Sequence, residues 1–124
     1  MKKILLVDDE EDILISLGNI LKRNNYEVIT TTKGKEGLEL ARQLSPEVII
    51  LDLLLPDMDG TEVALALEKD SSTKDIPIIF LTGMLTKQEE LPHKKTGRHH
   101  YAIAKPVTTA ELLKIIESAL QEDK

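Results

Sequence analysis

Cysteine is absent from the 124 residues, so the chain can form no disulfide, thiolate nucleophile or cysteine-based zinc site. The same absence fits a reducing compartment. Tryptophan is also missing, and two Tyr and one Phe are the whole aromatic complement, which argues against stacking platforms for bases or sugars. Basic charge is in short supply. Sixteen Lys and Arg against 22 Asp and Glu leave a formal net charge of −6, the wrong sign for gripping a polyphosphate backbone, so direct nucleic-acid binding is not expected. Long apolar runs are lacking too: Val48 to Leu55 is interrupted by Asp52, and a membrane span needs roughly 20 apolar residues. Met1-Lys2-Lys3 has the charge of a signal n-region, but Ile4 to Val7 runs straight into the acids Asp8 to Asp12, where an h-region needs about 7–15 apolar residues. The expectation is a soluble, cytoplasmic protein with no membrane partner. There is no G-x-x-x-x-G-K-[ST] loop and no G-x-G-x-x-G after a strand, which leaves nucleoside triphosphates and dinucleotides without support.

What is present is aliphatic. With 20 Leu, 13 Ile and 5 Val, and 41% hydrophobic residues against 31% charged, the chain can offset its conformational entropy by burial. Its length suits one domain, residues 1–124. Lys3 to Val7 is too short for a helix and too apolar for a half-exposed strand, so it reads as a buried parallel strand. Strands are likewise predicted at Glu27 to Thr31, Val48 to Leu51, Ile78 to Leu81 and Tyr101 to Ala104. Helical spacing runs through Asp12 to Asn24, Lys35 to Leu44 and Thr61 to Lys69, and Thr108 with Glu111 sets a capping box for a closing helix. Thr86 to His100 has no clear period and is predicted as a weak fourth helix. Strand and helix alternating in this way predict an α/β fold, a doubly wound parallel sheet.

In such sheets ligands bind beyond the carboxyl ends of the strands. Those ends carry Asp8 and Asp9, Asp52, Thr82, and Lys105 followed by Pro106. Three carboxylates at one rim repel one another until a proton or cation intervenes, and oxygen-only ligands point to Mg²⁺ rather than zinc. A carboxylate beside Mg²⁺, with a lysine and a hydroxyl opposite, is equipment for phosphoryl transfer to an aspartate: Asp52 attacks, Lys105 neutralises charge and Thr82 donates a hydrogen bond. Blander readings exist. Glu10, Glu11 and Asp12 read as first-turn acids that favour a helix dipole, Gly60 as a backbone requirement, Lys105-Pro106 as a turn that can hold a cis bond, and His93, His99 and His100 as solvated side chains.

Taken in order, Ile4-Leu5-Leu6-Val7-Asp8-Asp9-Glu10, then Pro46 through Gly60 with Asp52 at its centre, Pro77-Ile78-Ile79-Phe80-Leu81-Thr82-Gly83, and Lys105-Pro106 resemble the response-regulator receiver domain of two-component signalling across nearly the whole chain. The resemblance implies a flavodoxin-like, five-stranded parallel sheet of order 2-1-3-4-5 with helices on both faces. It implies that Asp52 accepts a phosphoryl group from a sensor histidine kinase or histidine phosphotransfer protein. It further implies that Asp8, Asp9, Asp52 and the Leu54 carbonyl hold Mg²⁺, that Thr82 and Lys105 bind the phosphoryl oxygens, and that Gly83 leaves them room. The output would be a changed surface around the fourth helix, the last strand and the last helix, offered to a downstream protein by a monomer or weak dimer.

The departures from the family fall near that surface. Its switch aromatic would sit at Ala102, while Tyr101, one position earlier, faces the other side of a strand unless a bulge shifts the register, and Gly97 lies one residue farther from Lys105 than the family's usual glycine. Lys94, Lys95, Arg98, His99 and His100 form a local basic patch that could dock an acidic partner. Leu54 and Met84 are apolar where polar residues in relatives position an attacking water, so slow self-dephosphorylation is expected. Three readings stay open: a phosphoacceptor regulator, a phosphorylation-independent interaction module of the same fold, and a small-molecule phosphohydrolase, which would want an acid where Leu54 stands.

Overall fold

The computed structural model describes residues 1–83, 95–97 and 100–121. In chain order the elements are β1 (Lys2–Val7), α1 (Glu11–Arg23), β2 (Tyr26–Thr31), α2 (Gly34–Leu44), β3 (Val48–Asp52), α3 (Gly60–Lys69), β4 (Ile78–Thr82), β5 (Lys95–Gly97), β6 (His100–Ala104) and α4 (Thr109–Gln121). Five strands run parallel in the spatial order β2-β1-β3-β4-β6, the doubly wound arrangement that the apolar runs predicted. A sixth strand, β5, closes the β6 edge in antiparallel sense. That corrects the expectation of a helix over the whole of Thr86 to His100. Without β5 the outer backbone groups of β6 would lie unpaired, and Gly97 favours an extended edge over a helix. The rest of the predicted fourth helix, with His93, Lys94, Arg98 and His99, lies outside the described residues, as does Met84.

Strand alternation divides the aliphatic side chains between two cores. Ile4, Leu6, Ile50, Ile79 and Ile103 face α1 and α4, whereas Leu5, Val7, Ile49 and Leu51 face α2 and α3. Burial on both faces is why these strands are almost wholly apolar, each filled side chain contributing about 1.5–3 kcal/mol relative to exposure. Among the described residues, no helix is long and apolar enough to cross a membrane.

Helix ends show how loops are tied. The predicted capping box of α4 is present: Thr108 N–H donates to Glu111 Oε1 at 3.0 Å, and Glu111 N–H to Thr108 Oγ1 at 3.1 Å. For α2 the preceding Lys33 offers no side-chain cap, and the loop after β3 supplies one instead. Gly34 N–H donates to Asp57 Oδ1 at 2.8 Å and Lys35 N–H to Asp57 Oδ2 at 3.0 Å, and these donors hold the Asp57 carboxyl below the usual range. The loop following Asp52 is thereby fastened to the start of α2.

The register of β4 against β6 is unbroken from Ile78 opposite His100 to Thr82 opposite Ala104, and the irregularity near Gly97 lies between β5 and β6. Tyr101 therefore stays on the α1 and α4 side of the sheet, 4% exposed, and does not take the place of the aromatic missing at Ala102. Its hydroxyl is buried with no hydrogen-bond partner among the described residues. Tyr101→Phe removes that orphaned group and is expected to stabilise the fold by about 1 kcal/mol in chemical denaturation. A loss of similar size would show that the hydroxyl is satisfied in solution.

Candidate functional site

The carboxyl ends of β1, β3, β4 and β6 converge because the four strands are neighbours in one parallel sheet. Asp8 follows β1, Asp52 ends β3, Thr82 ends β4 in register with Ala104, and Lys105 follows β6. Lys105 joins them. Its Nζ lies 3.0 Å from Asp8 Oδ2, 3.0 Å from Glu10 Oε1 and 3.3 Å from Asp52 Oδ2. The Lys105–Pro106 peptide bond is cis.

Both central acids are buried, Asp8 at 0% and Asp52 at 6% exposed. Asp8 Oδ1 accepts a hydrogen bond from Glu10 N–H at 2.9 Å, and Asp52 Oδ1 accepts one from Leu54 N–H at 3.3 Å. Burial raises the Asp8 carboxyl above its ordinary range, the Asp52 charge adds to the rise, and the Glu10 amide and the Lys105 ammonium partly oppose it. For Lys105 burial works in the opposite direction, towards the neutral amine, but Glu10, Asp8 and Asp52 outweigh it and hold the ammonium above the usual lysine range. The site therefore presents a permanent cation.

One carboxylate oxygen from each of Asp8, Asp9, Glu10 and Asp52 lies within 4.8 Å of the others. Asp8 Oδ2, although close to Lys105, accepts no aligned hydrogen bond. A buried carboxylate oxygen that has only a share of the Lys105 ammonium, in an all-oxygen cluster, suits a hard divalent cation such as Mg²⁺. The site fits that ion.

Three further features shape the surroundings. Gly60 N–H donates to Leu53 O at 2.8 Å, and a side chain there would meet Asp52 O at 2.4 Å, so the backbone requirement expected of this glycine is real. Around Gly83, nothing among the described residues lies within 4 Å of where a Cβ would stand. Beside the acids is a cavity of about 530 Å³ whose lining includes Glu10, Ile13, Leu17, Lys105 and Val107. Leu54, whose side chain is 60% exposed, leaves no acid or amide at its position. Glu10 stands at the start of α1, as its place in the run of acids suggested, but nothing in the sequence marked its contact with Lys105, which only the fold brings about.

Comparison with known proteins agrees with this geometry. The response regulator receiver domain family matches residues 4–117. Protein PilH of Pseudomonas aeruginosa is 32% identical over 120 residues, covering 97% of this chain and 98% of its own. The polar-differentiation response regulator DivK of Brucella ovis is 32% identical over 119 residues, 96% of each chain. Among solved structures, the chemotaxis response regulator CheY4 of Vibrio cholerae superposes with a TM-score of 0.84 at 32% identity, over 97% of this chain and 99% of that one. With the fold, the strand-end acids and these relatives in agreement, the chain belongs to the response regulator receiver domain family of two-component signalling.

Proposed function

We propose that Asp52 is the phosphoacceptor, on the observation that its buried carboxylate shares the Lys105 ammonium with the buried Asp8 at the carboxyl edge of the sheet. An oxygen of Asp52 attacks the phosphorus of a phosphohistidine on a sensor kinase or phosphotransfer protein. The new P–O bond forms as the P–N bond breaks, the electron pair leaves with the imidazole, and an acyl phosphate remains. Lys105 stands ready to pair with the developing charge, and Thr82, at the adjacent strand end, is the proposed hydroxyl donor. When bound by Asp8, Asp9, Asp52 and the Leu54 carbonyl, Mg²⁺ supplies further neutralisation of the phosphoryl oxygens. The adjoining cavity gives the carrier of the phosphoryl group, met in the cytoplasm by a monomer or weak dimer, a line of approach.

Intact mass after incubation with acetyl phosphate and Mg²⁺ tests this: one phosphoryl adduct is expected, absent from Asp52→Asn and from a chelated sample. With Leu54 unable to orient water, the adduct is expected to persist for minutes or longer after donor removal, and a lifetime of seconds would contradict that role. A second reading, a phosphorylation-independent interaction module, draws on the buried Ala102 at the family's aromatic position, and it predicts a folded protein with no adduct.

A further inference from the structure

We infer that Glu10 is a built-in competitor of the phosphoryl group for Lys105, holding the ammonium before phosphorylation and releasing it afterwards. The inference rests on the phosphoacceptor reading of Asp52. Its starting point is an imbalance of charge: one ammonium is shared by three carboxylates at 3.0, 3.0 and 3.3 Å. Phosphorylation would replace the single charge of Asp52 with a group carrying about −1.5 to −2. The phosphoryl group takes the place of Asp52 at the ammonium and adds negative charge beside Asp8 and Glu10, so repulsion on both rises and the freer of the two withdraws.

Structure decides which. Asp8 is fully buried and fixed by the Glu10 amide. Asp52 carries the phosphoryl group. Glu10 alone of the three has an exposed side chain, at 58%. Its backbone is anchored at the start of α1, where its carbonyl accepts from the Ile13 and Leu14 amides at 3.0 and 3.2 Å, so only the side chain has to swing. Both Glu10 and Lys105 line the adjoining cavity, which gives the departing carboxylate solvent to enter. In the unphosphorylated protein the Glu10 contact lowers the energy of the starting state, and in the phosphorylated one the same carboxylate is repelled. Both effects act against phosphorylation. Glu10 is thus a positioning residue that works through Lys105 and sets how readily the site accepts a phosphoryl group.

The test compares adduct formation from acetyl phosphate at saturating Mg²⁺ in the wild-type chain, Glu10→Gln and Glu11→Gln, with Mg²⁺ binding followed separately by calorimetry. Glu10→Gln is expected to be modified about two- to fivefold faster, the range set by losing one solvent-exposed ion pair. Mg²⁺ affinity should change less than twofold. Glu11→Gln, which removes the same charge one residue away, should match wild type. In a Lys105→Met background the gain from Glu10→Gln should shrink, because only the direct repulsion of the phosphoryl group remains, a coupling that a merely structural role would not produce. Equal or slower modification of Glu10→Gln overturns the proposal, as does a tenfold loss of Mg²⁺ affinity, which would make Glu10 a metal ligand. A wild-type chain that forms no adduct overturns the phosphoacceptor reading and this proposal with it.

Discussion

Replacing Lys105 with methionine is expected to slow phosphoryl transfer to Asp52 about 100-fold, the usual consequence of removing one preorganised charge from a site where negative charge develops. The reason is geometric. A single ammonium reaches both Asp8 and Asp52, and no other cation approaches either carboxylate among the described residues. Methionine keeps most of the aliphatic stem and deletes the charge, so the change reads electrostatics rather than packing. Lys105→Arg should recover only part of the rate, since a planar fork cannot occupy the place of a compact ammonium among three carboxylates. Adduct formation followed by mass against time measures both variants. An unchanged rate in Lys105→Met would show that Lys105 takes no part in transfer.

The second large effect concerns Gly60. Its φ is not positive, so the requirement is space and not dihedral freedom. A Cβ would stand 2.4 Å from Asp52 O and 2.7 Å from Leu53 Cα, both backbone atoms with no flexible end to move aside. Gly60→Ala is therefore expected to push the loop away from β3, at a cost of about 1–3 kcal/mol in chemical denaturation. Because the displaced atoms include those of Asp52, transfer should slow by more than stability alone predicts, a misplacement on the order of 1 Å being able to cost about 100-fold. Wild-type stability with a wild-type rate would mean that the loop has slack where the structure shows contact.

How much of this could be read in the chain depended on whether a signal was local. Val48 to Leu51 ending in Asp52 was conspicuous because a charge closing a buried strand needs a partner, and the partners predicted for that rim, Asp8 and Lys105, do meet it. Strand alternation also placed Tyr101 on the correct face. The contact between Glu10 and Lys105 was hidden because it joins residues 95 apart in sequence. Asp57 as the cap of α2 was equally hidden, since capping patterns look to the residues just before a helix and this cap arrives from 22 and 23 residues downstream. Three residues of edge strand containing Gly97 are too few for any period, so β5 could not be told from a loop or a weak helix.

The acceptor atom can be identified by trapping it chemically. The chain is treated with acetyl phosphate and Mg²⁺, reduced with borohydride to convert an aspartyl phosphate to homoserine, digested, and mapped by peptide mass. Homoserine is expected at position 52 and nowhere else. Modification at Asp8, Asp9 or a histidine, with Asp52 intact, would contradict it.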